Sequence, residues 1–179
     1  VGGKGPTPWL YGNHLRMGGV KLYADGALGS RGAWLKQPYS DAPGQRGAGF
    51  LTDTQLQNSM SRAAMDGWQI AVHAIGDGAV RIVLDGYEAA AAANGARDRR
   101  NRVEHAEVVH PDDLRRFGTL GVIASMQPTH PPGNAGTPLE PYISCVGEAR
   151  WQYCFPWRDL VDTGAKIVFA TDWPVSPLA

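Results

Sequence analysis

Residues Gln69–Asp77 read QIAVHAIGD, a short apolar run that carries one histidine and ends in a glycine and an aspartate. A continuous apolar run of this length, bounded by turn residues, predicts a strand buried on both faces. The sequence Gly-Asp-Gly that follows predicts a turn into a helix, with Asp77 as the N-cap. The strand therefore delivers His73 close to its carboxyl end.

Three other apolar runs share this design, with an ionisable residue in the run or at its end. They are Gly19–Asp25 (GVKLYAD), Arg102–Ala106 (RVEHA) and Lys166–Asp172 (KIVFATD). With the first run they place four polar side chains in or at the ends of four predicted strands: Lys21, His73, His105 and Asp172. Since the loops after parallel strands build the sites of α/β proteins, this recurrence indicates a site at one rim of a sheet.

Strands and helices alternate along the chain. The strands are predicted over 20–24, 69–75, 103–108, 121–127 and 166–171, and the helices over 53–66, 77–94, 110–118 and 156–163. This alternation predicts an α/β fold with a parallel sheet and about five βα units. Two stretches rich in Gly and Pro, 26–52 and 128–152, are predicted to be long loops, which are usually functional or mobile.

Composition narrows the classes of function. The chain of 179 residues has 17 basic and 17 acidic side chains, and this balance argues against a general nucleic-acid or acidic-membrane binder. No apolar run approaches the length of a membrane span. The two cysteines form no disulfide framework, which favours a reducing compartment, and we expect a cytoplasmic protein.

The four polar residues suit a divalent transition metal such as Zn²⁺, because imidazole and carboxylate are ordinary zinc ligands. Lys21 fits such a site only if its amine is deprotonated, or carbamylated so that it presents a carboxylate. Each residue taken singly also has an ordinary interpretation. A lone histidine is more often a hydrogen-bonded core residue, Lys21 an ion-pairing or snorkelling residue, and Asp172 a cap.

Other polar motifs give weaker signals. Gly76–Gly78 resembles a phosphate-binding turn, but without a glycine fingerprint a strand-to-helix turn is the better interpretation. His110 precedes a proline at a predicted helix start and is expected to be structural. His130 lies in a long loop and is expected at the surface or facing a substrate, rather than as a ligand.

The sequence resembles the amidohydrolase superfamily, and within it the YtcJ-like branch that includes the N-substituted formamide deformylases. The matching stretches are GVKLYADGALGSRGA at 19–33, VHAIGD at 72–77, RVEHA at 102–106 and FATDWP at 169–174. The resemblance covers nearly the whole chain. The lysine-containing stretch and the final Thr-Asp-Trp-Pro are its more specific parts.

The resemblance implies a (β/α)₈ barrel of the metal-dependent hydrolase type. Lys21 would lie on barrel strand 4, His73 on strand 5, His105 on strand 6 and Asp172 on strand 8, with 122–127 as strand 7. By the same analogy, a carboxylated Lys21 bridges two metal ions, and the two histidines bind the second. Asp172 binds the first ion and carries the proton of the attacking water. Arg31 and Trp173 are candidates for substrate contact.

The chain departs from this family in one respect: no two histidines are two residues apart, so the His-x-His of strand 1 has no counterpart. Residues 1–179 are therefore interpreted as a single partial barrel domain, strands 4 to 8, without the β-sandwich. The second metal set is complete and the first is half present, so that one or two ions are expected. A partial barrel has open sheet edges, and we expect self-association.

Two functions of different class follow from the sequence. The first is a hydrolase that cleaves carbon–nitrogen bonds of small amides or formamides with metal-activated water. The alternative is a non-catalytic metal- or ligand-binding α/β domain. A doubly wound nucleotide binder is disfavoured, since its glycine fingerprint is absent.

Overall fold

A single parallel sheet organises the chain in a computed structural model that describes residues 5–95 and 97–176. Its strands are β1 (Gly19–Tyr23), β2 (Gln69–Ala74), β3 (Arg102–His105), β4 (Ile123–Met126) and β5 (Lys166–Phe169). They lie side by side in chain order, and every neighbouring pair is parallel. The predicted α/β class and the number of strands are confirmed. The ends of the predicted domain, 1–4 and 177–179, lie outside the described residues.

Helices connect the strands. They are α1 (Asp53–Met65), α2 (Asp77–Asn94), α3 (Pro111–Leu120), α4 (Tyr142–Val146), α5 (Glu148–Trp151) and α6 (Trp157–Asp162). The four predicted helices are α1, α2, α3 and α6, whereas α4 and α5 interrupt the predicted loop 128–152. Among the described residues, no helix combines the length and apolar character that crossing a membrane requires.

The main core lies between the sheet and the helices. Successive strand residues face opposite sides of a sheet, so Ile70, Val72 and Ala74 of β2 point to the helix layer and are buried there. They pack with apolar residues of α1 and α2, including Met60 and Val83. The other face of β2 carries Ala71 and His73. The alternation thus sorts the polar positions onto the inner face of the sheet.

Local signals explain where the helices begin. Thr52 caps α1 in a capping box, because its hydroxyl accepts the Gln55 backbone N–H while the Gln55 side chain accepts that of Thr52. His110 caps α3 by accepting the Asp112 backbone N–H, so its predicted structural role is confirmed. The predicted cap of α2 is wrong: Gly76 is the N-cap and Asp77 the first helical residue. The Asp77 carboxylate instead accepts the Lys36 backbone N–H at 2.9 Å, from a distant loop.

The predicted loop 26–52 is packed. Leu28, Leu35 and Tyr39 are buried in a second apolar cluster with Val108 and Val146, beyond the carboxyl ends of the strands. The loop therefore forms a fixed wall over this edge of the sheet. Both cysteines are free thiols.

Candidate metal centre

The five parallel strands bring their carboxyl ends to one edge of the sheet. Lys21 lies within β1, His73 near the end of β2, His105 at the last position of β3, and Asp172 three residues after β5. Tyr23 of β1 is the register partner of His73. All four predicted ligands therefore lie in the strands or just beyond their carboxyl ends.

His105 reaches the site because the backbone leaves the extended conformation at this residue. Its register partner is Ala74, which faces the helix layer, so strand alternation alone would turn His105 away from the inner face. Its φ of 77° and the φ of 47° at Ala106 are left-handed. Left-handed angles at non-glycine residues store strain and cluster at functional sites. Asp172, with a φ of 57°, shares this feature.

His105, His130 and Asp172 form a compact group of donors. One ligand atom from each lies within 4.8 Å of the others. The sequence analysis gave His130 a surface or substrate-facing place, but its ring is half-buried and stacks on that of His105, with 5.9 Å between centroids. His130 follows β4 by four residues, so its only sequence signal was its position after a strand.

His73 adjoins this group. Its ring centroid lies 4.5 Å from that of His105, in an edge-on arrangement. Burial, with a smaller contribution from the neighbouring His105, lowers the pKa of His73 to about 4. Burial likewise lowers the pKa of His105. Both imidazoles are therefore neutral at physiological pH, and neutral imidazole is the form that binds a metal.

Gln127 fixes the orientation of His105. The Oε1 atom of Gln127 lies 2.8 Å from Nδ1 of His105, and both side chains are buried. This contact assigns the proton to Nδ1 and leaves Nε2 free to coordinate, as is usual for metal-binding histidines. The sequence analysis missed Gln127, since a glutamine at the end of a strand carries no distinctive pattern.

Asp25 lies behind His73. Its fully buried carboxylate accepts backbone N–H groups from Trp34, Ile75 and Gly76 at 2.8–3.0 Å. Burial raises the pKa of Asp25 to about 7, and these three hydrogen bonds act in the opposite direction. Oδ1 of Asp25 lies 3.6 Å from Nε2 of His73. Asp25 thus joins the loop after β1 to the end of β2, next to the histidine, without a hydrogen bond to its ring.

Lys21 and Asp172 line one cavity of about 500 Å³ on the inner side of the sheet, together with Gln127 and Trp173. The Lys21 side chain is exposed, and Nζ lies 4.9 Å from the centre of the Tyr23 ring.

The two predicted substrate contacts differ in position. Trp173 is exposed and lies on the wall of the cavity that Lys21 and Asp172 share. Arg31 has a φ of 56° and forms a two-pronged ion pair with Asp41, with 3.1 Å between Nε and Oδ1. This ion pair ties together the ends of one stretch of the loop 26–52.

The donors present fit a divalent metal ion. Two imidazoles and a carboxylate lie within 4.8 Å of one another, with a third imidazole beside them, and imidazole with carboxylate is a donor set of zinc sites. The Nε2 atoms of His73 and His130 are buried and have no hydrogen-bond partner among the described residues. A buried polar atom without a partner is costly, and coordination of a cation would satisfy it.

Parallel strands with a polar site at their carboxyl edge are typical of α/β enzymes, (β/α)₈ barrels among them. The sequence profile of the amidohydrolase family matches residues 7–179, and the chain belongs to this family.

Three relatives match nearly the whole chain, and two of them carry the names of the branch that the motifs indicated. The chain is 38% identical to Protein LONG AFTER FAR-RED 3 of Arabidopsis thaliana over 96% of its own length and 28% of the relative. It is 32% identical to YtcJ of Bacillus subtilis, over 94% of the chain and 31% of the relative. It is 30% identical to the N-substituted formamide deformylase of Arthrobacter pascens, over 89% of the chain and 28% of that enzyme. The chain thus spans less than a third of each relative.

A solved structure supports the fold. An uncharacterized metal-dependent hydrolase from Pyrococcus horikoshii OT3 superposes with a TM-score of 0.80 at 34% identity, over 92% of this chain and 32% of that one. The five parallel strands with their helices therefore form part of a (β/α)₈ barrel, and the predicted partial barrel is confirmed.

Proposed function

We propose that this chain carries part of the active site of a hydrolase that cleaves carbon–nitrogen bonds in small amides or formamides, with a divalent metal ion as cofactor. The observation that carries the proposal is the convergence of His105, His130 and Asp172 within 4.8 Å, with His73 beside them. The formamide deformylase among the relatives supports the choice of bond. The relatives are longer than this chain, and the activity of a whole protein of that length is part of this proposal.

The ligand set proposed for the metal is Lys21, His73, His105 and Asp172, with Zn²⁺ as the ion. The neutral state of both histidines supports their part in it. Carboxylation of Lys21 would give it oxygen donors, and its place beside Asp172 in one cavity supports this role. His130 is a further donor of the compact group. When bound, the metal supplies Lewis acidity that lowers the pKa of water and polarises a carbonyl.

Asp172 is the proposed catalytic residue. Its carboxylate faces the cavity that a substrate would enter, close to two imidazoles. It would take a proton from the attacking water and transfer it to the leaving nitrogen. Gln127 holds His105 in place, so this donor needs little rearrangement.

Substrate contact is proposed for Trp173 and Arg31. The exposed indole of Trp173 lies on the cavity wall, which supports a stacking or apolar contact. Arg31 is engaged with Asp41, so its contribution would be to hold the loop 26–52 in place. Free thiols at both cysteines agree with the proposed cytoplasmic location.

Metal content and turnover of the full-length protein test the proposal. We expect bound zinc and hydrolysis of N-benzylformamide in the wild type, with loss of both in the double variant His73→Ala/His105→Ala. His14→Ala is the matched control, because His14 is exposed and is not among the proposed metal donors. It should leave both quantities unchanged.

The possible results separate the two functions that the sequence allowed. Zinc that depends on the histidines, without turnover of any amide or formamide in a broad panel, would replace the hydrolase with a metal-binding domain. Absence of zinc after incubation with zinc and bicarbonate would contradict the metal centre itself.

A further inference from the structure

A second cavity, of about 680 Å³, adjoins the candidate metal centre beyond the carboxyl ends of the strands. Segments that follow all five strands contribute to its wall. The apolar part includes Leu28, Ile75, Pro141 and Val175. His130 lines this cavity and also belongs to the compact donor group, so its imidazole ring adjoins both the cavity and the other donors. A cavity of this size suits a small organic molecule.

Glu107 is the unusual residue of this wall. Only 7% of it is exposed, yet its carboxylate accepts no hydrogen bond from the residues that the structure describes. Its nearest ionisable neighbour is His130, with 3.6 Å between Oε1 and Nδ1. A mostly buried carboxylate without a protein donor favours a ligand that donates a hydrogen bond to it. Glu107 is outside the compact donor group, and 3.6 Å from His130 is too long for a hydrogen bond, so neither the proposed metal ion nor this imidazole satisfies the carboxylate.

The backbone holds Glu107 in place. Its carbonyl accepts the Phe155 N–H at 2.7 Å, and the next residue, Val108, donates to Ile75 at 2.9 Å. The side chain therefore projects from a fixed support. Preorganised polar groups of this kind determine which ligands fit an otherwise apolar cavity.

The charges around the cavity favour a cationic ligand. Within the described part of the chain, its wall contains two carboxylates, Glu107 and Glu140, and no lysine or arginine. Glu140 is occupied, because it accepts the backbone N–H and the hydroxyl of Ser144. Glu107 is thus the carboxylate that remains free for a ligand.

We infer that this cavity holds the substituent on the substrate nitrogen, and that Glu107 selects substituents bearing an ammonium or another strong N–H donor. The inference rests on the proposed function for the position of the scissile bond. Glu107 is then a specificity-determining residue: a largely apolar substituent fills the cavity, and its donor pairs with the buried carboxylate.

Two formamides of equal length test this inference. N-(4-aminobutyl)formamide ends in an ammonium, and N-pentylformamide ends in a methyl group. Binding of each to the metal-depleted full-length protein is measured by calorimetry, so that the result does not depend on turnover. We expect the wild type to prefer the ammonium ligand, and Glu107→Gln to weaken its binding by about 10- to 100-fold while N-pentylformamide binds as before.

Two variants serve as controls. Glu107→Asp keeps the carboxylate and should retain most of the preference. Glu140→Gln removes the other negative charge of the same wall, but from a side chain already paired with Ser144, and should change the preference by less than Glu107→Gln does. Equal losses from these two glutamine variants would indicate a diffuse charge effect and would overturn the inference.

The other possible results also test the role of Glu107. Equal weakening of both formamides in Glu107→Gln would assign Glu107 a structural role. Failure of both to bind the metal-depleted wild type, together with turnover of neither by the zinc-loaded protein, would exclude the cavity as their site. Kinetics of the zinc-loaded protein separate the inference from the proposed function. Turnover without an ammonium preference would reject the inference alone, whereas an ammonium preference in binding without turnover would reject only the hydrolase.

Discussion

The neutral side chain of Gln127 determines the tautomer and the ring orientation of a proposed metal ligand, His105. Its Oε1 atom fixes the Nδ1 proton of His105 and the plane of the ring. Without the Gln127 side chain, the His105 imidazole could take either tautomer. The left-handed backbone at His105 would then place the ring in the site without fixing its orientation. The geometry of the donor group thus depends on a residue that would not itself touch the metal.

We predict that Gln127→Ala lowers the zinc affinity of the full-length protein by about 10- to 100-fold, because loss of a partner that orients a ligand has this effect. Affinity is measured by competition with a chelator of known zinc affinity. Gln37→Ala is the control, since Gln37 is exposed in the loop 26–52 and should give the wild-type value. Unchanged affinity in Gln127→Ala would mean that His105 is not a ligand.

At the scale of elements, the turn between β2 and α2 is the structural junction of the site. The backbone of Trp34 crosses this turn, and its carbonyl accepts the Gly78 N–H at 3.0 Å. A Cβ atom at Gly76 would lie 2.1 Å from that carbonyl oxygen. The turn thus needs glycine for space, since the φ of −79° at Gly76 is ordinary for any residue.

Gly76→Ala should therefore push the loop 26–52 away from the sheet. We expect a loss of about 1–3 kcal/mol in the free energy of unfolding, the usual cost of overpacking, measured by urea denaturation. Gly44→Ala is the matched control, because no atom lies within 4 Å of its added Cβ and its φ is not left-handed. Equal stability of the two variants would show that Trp34 shifts without cost.

At the scale of the whole molecule, the open edges of the sheet determine how the polypeptide is expected to associate. Within the described residues, β1 and β5 each pair on one side only. On the inner face, Tyr23 and Val168 are 52% and 42% exposed. Unpaired edges and exposed apolar groups are the usual causes of edge-to-edge association. Self-association of this polypeptide is accordingly still a prediction.

Sedimentation of residues 1–179 as an isolated polypeptide tests it. We expect the average mass of the wild type to rise with protein concentration. Val168→Glu should shift the association midpoint to at least about tenfold higher concentration, because association would bury the new charge at the interface. Val161→Glu, on the 56% exposed position of α6, adds the same charge away from the sheet and should change little. A monodisperse monomer at every concentration would contradict the prediction.

Strand predictions succeeded where the pattern was local. The apolar runs at 69–75 and 166–171 predicted β2 and β5, and the order of elements was confirmed. The boundaries erred where tertiary contacts end a strand. The third run was predicted to continue to 108, but β3 stops at His105, where the backbone becomes left-handed. No apolar periodicity reports such a change.

The sequence by itself determined the alternation of strands and helices, and therefore that His73, His105 and Asp172 would gather at one edge, because parallel strands all end on the same side. The tertiary structure alone decided which further groups join them. His130, Gln127 and Glu107 acquire their roles from contacts across different strands and loops, with Gln127 22 residues from its partner His105. Such contacts depend on how the whole chain packs, and the spacing of residues along the sequence does not predict them.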